Sequence, residues 1–146
     1  MNTVLSTVAA AGSGLTAGVL LAVAVSLVPV FLSLPPAHYV RAHKVAGRYF
    51  DRFMPPTVVV TALVDVVLAV RTGGVLFAAA AAALVGVSVV SQFGNVPVNR
   101  AVRALPDGSV PVGWPDPRQR WQRLHWCRTT FALIALVLNL VAPASF

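Results

Sequence analysis

The chain has 146 residues, 58% of them hydrophobic and 10% charged, with a formal charge of +7 at neutral pH. Together with a mean hydropathy of +0.81, this composition lies outside the usual mix of soluble domains and predicts one integral membrane domain over residues 1–146. It disfavours a nucleic-acid partner, because the basic residues sit beside apolar runs and no recognised binding module is present.

A span needs roughly 20 mostly apolar residues, and candidates lie near residues 3–34, 56–70, 74–93 and 124–142. The expected fold is all-α, a four-helix transmembrane bundle with an amphipathic cytoplasmic helix between spans one and two. The first span does not read as a signal peptide: residues 1–34 hold no Lys or Arg, and the apolar run is far longer than a leader's. Within it, Ala10, Gly14, Gly18, Ala22 and Ser26 recur every four residues. Such a stripe predicts a close-packed partner, either another span or a second copy of the chain. Span three carries a similar stripe at Ala78, Ala82 and Gly86, so pairing of spans one and three is one outcome. Pro29 predicts a kink near the end of span one.

The first connection is bounded by Pro35–Pro36 and Pro55–Pro56 and reads as an amphipathic surface helix. Arg41, Lys44, Arg48 and Arg52 line one face, toward lipid phosphates; Tyr39, His43, Ala46, Phe50 and Phe53 line another. His38 and His43 fall about 140° apart around a helix and make no i, i+4 metal pair. Span two contains Asp65, with Thr57 and Thr61 on the same face. An intramembrane acid is a functional-site candidate by default, in a structural or proton-handling role, and Arg71 is a candidate partner.

Span three ends in SVVSQFGNVPVN, which places Ser88, Gln92, Asn95 and Asn99 along one helix face. Amides are costly in hydrocarbon unless bonded, so this ladder should face protein, water or a ligand. The Pro- and Gly-rich stretch LPDGSVPVGWPDP follows as a turn-forming loop, expected to act as a flexible cover. Span four then opens with Trp121, His125, Arg128 and Thr129 on one face. Trp114, Trp121 and Trp126 suit anchoring at a membrane interface. Asn139 is expected to cap or pack near the far end. Cys127 is the one cysteine and forms no internal disulfide.

Ten of the eleven Lys and Arg residues lie on one side of the spans, Arg71 alone on the other. The positive-inside rule then places both connections in the cytoplasm and both termini outside, in a multi-pass cell-membrane protein. Partners expected are the lipid bilayer, a hydrophobic small molecule and, through the Gly14/Gly18 stripe, another copy of the chain.

An apolar span ending in Asn95-Val96-Pro97-Val98-Asn99, a loop, and a Trp-rich helix start ending in Arg128-Thr129 resemble the anthrone oxygenase-like family of small four-helix membrane proteins. The family pattern Asn-Val-Pro-x-Asn is matched by Asn95, Val96, Pro97 and Asn99. The pattern Trp-x-x-Trp-Asn-His-x-Arg-Thr is matched by Trp121, Arg128 and Thr129, with Leu124, His125 and Trp126 departing from it. The resemblance implies conversion of a polyketide anthrone to an anthraquinone with molecular oxygen. A phenolic substrate deprotonated to an electron-rich anion reacts with oxygen directly, so no cofactor is expected, with a metal or haem group left open.

That chemistry needs a base and cationic or amide donors for the anion. His125 or His43 is the candidate base, Arg128 the charge stabiliser, and Asn95, Asn99, Gln92 and Trp121 the substrate-binding set. The plainer readings stand beside it: Asn95 and Asn99 as caps around Pro97, Arg128 snorkelling to lipid, and the histidines as polar tips. No metal site is expected, since His38, His43 and His125 are irregularly spaced and the chain has no Glu. Two functions follow: a membrane-bound oxygenase or tailoring enzyme for a hydrophobic aromatic substrate, and a non-catalytic membrane subunit or small-molecule binder.

Overall fold

The computed structural model describes residues 2–106 and 109–145, and among these it contains helices and no strand. Asp107 and Gly108 of the second connection lie outside the described residues. Four helices are long and apolar enough to cross a membrane, and the chain is an all-α bundle of them. We number them α1 (Asn2–Ser33), α2 (Pro36–Thr72), α3 (Val75–Arg103) and α4 (Arg118–Val141). Short connections make them antiparallel neighbours: an extended Leu34–Pro35 step joins α1 to α2, and Gly73–Gly74 joins α2 to α3. Gly73 takes φ +68°, the left-handed conformation open to glycine, and its N–H closes α2 on the Ala69 carbonyl at 2.9 Å.

The amphipathic connection is helical as expected, but it is not a separate element. α2 runs unbroken from the basic segment into span two, with Pro55 and Pro56 inside it. The prolines lack the amide hydrogens that would bond the carbonyls of residues 51 and 52, yet the helix on either side is long enough to carry the axis through. Lys44 also leaves the predicted lipid-facing row, donating from Nζ to the Leu105 carbonyl at 2.5 Å.

The four seams are α1–α2, α2–α3, α3–α4 and α4–α1, so spans one and three sit diagonally and the pairing considered for them is not made. Nor does the Gly14/Gly18 stripe form the main seam of α1. Ala9, Ser13, Thr16, Ala17, Leu20 and Ala24 are buried, while Gly18, Ala22 and Ser26 face outward, as do Ala78 and Ala82 of α3. Close approach occurs instead at Gly12, where a Cβ would collide with Thr61 Oγ1, and at Gly94, where it would come within 2.8 Å of Leu124 Cδ2.

The interior has three layers. Small residues dominate the middle, where Ala17, Ala83, Ala132 and Ala135 pack with Leu20, Val58, Leu84 and Val87. Ala9, Leu68, Phe77 and Ala142 fill the end near Arg71. Larger and aromatic side chains, Phe31, Tyr39, Val98, Val102 and Trp121 among them, fill the basic end. The second connection packs Leu105, Val110 and Trp114 onto that aromatic layer rather than hanging free as a flexible cover.

Two helices change pitch at this end. Val23–Leu27 of α1 and Ser91–Asn95 of α3 each form a π turn, closed by Val28 N–H to Val23 O and by Val96 N–H to Ser91 O. Both turns are followed by Val-Pro, at Val28–Pro29 and Val96–Pro97. A residue inserted into the helical turn beside a missing amide widens the backbone, a form common at functional sites.

Candidate functional site

Between the two π turns lies a cavity of about 360 Å³, walled mostly by apolar side chains of all four helices. Its polar groups are Ser88, Ser91, Gln92, Asn95 and Asn99 of α3, His43 of α2, and Trp121 and Arg128 of α4. The predicted ladder therefore shares one wall. Ser91 belongs to the same face, three residues after Ser88 and four before Asn95; the spacing that marks the ladder also marks Ser91, which the sequence reading left out. Ser88 and Ser91 donate their hydroxyl protons to the Leu84 and Val87 carbonyls, at 3.3 and 2.7 Å. Their oxygens can still accept.

Donor and acceptor chemistry fixes the arrangement of the next three groups. Trp121 Nε1–H can only donate, and it meets Asn99 Oδ1 at 3.0 Å. His43 Nε2 lies 3.0 Å from the same oxygen and must also donate. Neutral His43 is therefore the Nε2–H tautomer, with Nδ1 as its basic nitrogen. Asn99 bridges α2 and α4 through one oxygen and carries its two N–H donors on the other atom.

His125 is not on the cavity wall. It is fully buried, with Nε2 donating to the Leu20 carbonyl at 2.9 Å. Its Nδ1 accepts from Arg128 Nε at 3.1 Å and Nη2 at 2.7 Å. The Trp121 ring stacks on it, centroids 5.2 Å apart at 13°. Both ring nitrogens are committed in the neutral form, so His125 holds Arg128 and is no candidate base. Arg128, the one formal charge on the wall among the described residues, lines the cavity next to apolar neighbours.

Asn95 is fully buried on the same wall. Its Nδ2 donates to the Trp121 carbonyl over a long 3.4 Å, which orients the amide, and its Oδ1 has no hydrogen-bond partner. A buried orphan acceptor costs about 1–3 kcal/mol. A ligand hydroxyl would satisfy it.

The remaining sequence candidates lie elsewhere. Asp65 is buried two turns beyond Val58, off the cavity, and accepts from Asn139 Nδ2 at 3.2 Å instead of pairing with Arg71, which is exposed. Asn139 is thus a cross-bundle partner rather than a cap. His38 is exposed and far around α2 from His43. Of the tryptophans expected as interface anchors, only Trp126 faces outward; Trp121 is in the site and Trp114 is half-buried over it. No group of three or more His, Cys, Asp or Glu gathers among the described residues.

Charge counting missed a second function for Arg118. Its Nη1 donates to the Phe31 and Leu34 carbonyls at 2.9 and 2.7 Å, capping the end of α1. Nε and Nη2 hold Asp116, at 2.8 and 2.5 Å to Oδ2, and the guanidinium lies 5.2 Å over the Tyr39 ring. Hydrogen bonds from Arg118 hold the Asp116 carboxyl below its ordinary range, while burial pushes the Tyr39 phenol up. Tyr39 and Phe31 in turn pack edge-on at 5.5 Å, so this clamp braces the aromatic layer beside the cavity.

A comparison with protein-family models matches the anthrone oxygenase family over residues 44–138, about two thirds of the chain. The matched stretch contains every polar residue of the cavity wall except His43, which lies one residue before it. The chain belongs to the anthrone oxygenase family. No curated protein and no solved structure matches it.

Proposed function

We propose that the chain is a membrane-bound oxygenase that turns a hydrophobic, anthrone-like aromatic substrate into a quinone with dioxygen, inside the cavity at the basic end of the bundle. One observation carries this reading: a mostly apolar cavity of about 360 Å³ whose polar groups converge, with Arg128 held by His125 and Asn95 Oδ1 left unsatisfied. Membership of the family supports it.

His43 Nδ1 removes a proton from the substrate's acidic methylene. The resulting anion spreads onto the ring oxygen, where Arg128 and the Asn99 amide donors stabilise it. Asn95 Oδ1 accepts from a substrate hydroxyl and sets the ring's orientation. Dioxygen adds at the carbanion carbon to give a peroxide, which takes the proton back from His43. Loss of water then leaves the new carbonyl. One dioxygen is consumed for each quinone and each water formed. In this reading the basic end faces the cytoplasm and both termini lie outside.

Oxygen uptake and product analysis on the purified protein, with an anthrone as substrate and the metal content measured, test the proposal. Quinone formation above the uncatalysed rate supports an oxygenase. Tight anthrone binding without turnover assigns the cavity to a binder.

A further inference from the structure

The cavity has a mouth, and the wall residues that are also exposed mark it. They are Phe50, Pro55 and Val59 of α2 and Gln92 of α3, whereas wall residues from α1 and α4 are buried or half-buried. The α2–α3 seam is closed at its basic tip, where Lys44 bonds the Leu105 carbonyl and the Arg103 guanidinium lies over Gly47. It opens one to three turns further along. The mouth residues on α2, Phe50, Pro55 and Val59, are themselves apolar, and the outer surfaces of both helices at this level carry further exposed apolar side chains, Phe53 and Val60 on α2 and Val89 and Phe93 on α3. Arg48 and Arg52 lie just above it, and Arg52 begins the apolar span of α2.

An opening rimmed by apolar groups below a row of cations sits where headgroups meet hydrocarbon. Water would find little there to bond except Gln92. An aromatic molecule with one polar edge partitions to that same depth, ring in the acyl layer and oxygens toward the headgroups. We propose that the ligand enters sideways from the bilayer through the slot between α2 and α3, passing Phe50, Val59 and Gln92 before its polar edge reaches Asn95 and Arg128. The nature of the ligand rests on the oxygenase reading; the route does not.

The test keeps Trp121 as a reporter on the cavity wall by replacing Trp114 and Trp126 with Phe in the full-length protein. It is reconstituted in vesicles of phosphatidylcholine with brominated acyl chains, and separately in ordinary vesicles with aqueous iodide. A lipid-facing slot gives quenching of Trp121 by brominated chains and none by iodide. Val59→Phe narrows the slot and removes the quenching, whereas Leu63→Phe, one turn on and off the wall, retains it. Quenching by iodide alone, or by neither agent, overturns the route. With anthrone as the probe, Val59→Phe slows association and release, whereas Leu63→Phe leaves both rates as in the wild type. Lipid quenching without anthrone binding sinks the oxygenase reading and spares the route; turnover in a protein whose Trp121 is reached only from water does the reverse.

Discussion

His125 Nδ1 accepts two hydrogen bonds from the Arg128 guanidinium while its opposite nitrogen donates to the Leu20 carbonyl. The histidine is a bracket between the backbone of α1 and the cation on the cavity wall. A base must offer a lone pair to substrate, and this ring has none left to offer. The roles of the two buried histidines therefore separate. His125→Ala is expected to lower kcat on the order of 10²-fold by letting Arg128 drift, with the shape of the pH–rate profile unchanged. His43→Ala should remove the rise of activity with pH that a titrating base produces. A profile altered by the His125 substitution and not by the His43 one would reverse the assignment.

Asn95 sets stability against function. Leucine has the same branched outline and no orphan oxygen, the cavity beside Asn95 leaves room for its bulkier methyls, and the only bond it sacrifices is the long one to the Trp121 carbonyl. Asn95→Leu is expected to hold or raise Tm, since removing an unsatisfied buried acceptor relieves about 1 kcal/mol or more. Anthrone binding should weaken about tenfold, the equivalent of one lost hydrogen bond. Thermal unfolding in detergent and a binding titration check the two halves separately.

The Arg118 clamp is expected to be structural. Arg118→Ala leaves the Phe31 and Leu34 carbonyls without their donor and should cost about 2 kcal/mol. Asp116 has its carboxyl held below the ordinary value in the folded protein. Its contribution is thus present above the unfolded aspartate value, about 3.9, and is lost as pH falls through the lower folded value. Tm of the wild type should exceed that of Asp116→Asn at neutral pH, and the difference should close in acid. A gap independent of pH would show that the carboxylate does not carry the effect.

Small residues on α1 are not equivalent. Gly12→Val drives a side chain into Thr61 and should cost roughly 1–3 kcal/mol, while Gly18, with nothing within 4 Å of its Cβ position, should accept valine at a cost below about 0.5 kcal/mol. Melting temperatures of the two variants decide which face of α1 is the intramolecular seam.

The difference between those glycines shows what a sequence can carry. Four spans are legible because hydrocarbon-length apolar runs are required however the helices pack. The Ser88, Gln92, Asn95, Asn99 row is legible because its spacing survives both the α pitch and the π turn. Which small-residue stripe meets a neighbour depends on the rotation of each helix, and a period of four marks a stripe without saying what it faces. Continuity of α2 through Pro55–Pro56 was hidden for a related reason, since a proline pair reads equally as a start and as an interior kink. The partners of His125, Asp65 and Arg118 lie 105, 74 and up to 87 residues away in the chain. No local pattern encodes such contacts.

The most direct test of the oxygenase reading is turnover of an anthrone under isotopically labelled dioxygen, comparing wild type with Arg128→Ala at matched thermal stability. The expected result is label in the new quinone carbonyl, one dioxygen consumed per quinone, and a loss of about 10²–10³-fold in kcat without Arg128. Equal rates in the two proteins, or wild-type turnover no faster than the uncatalysed reaction, would contradict it.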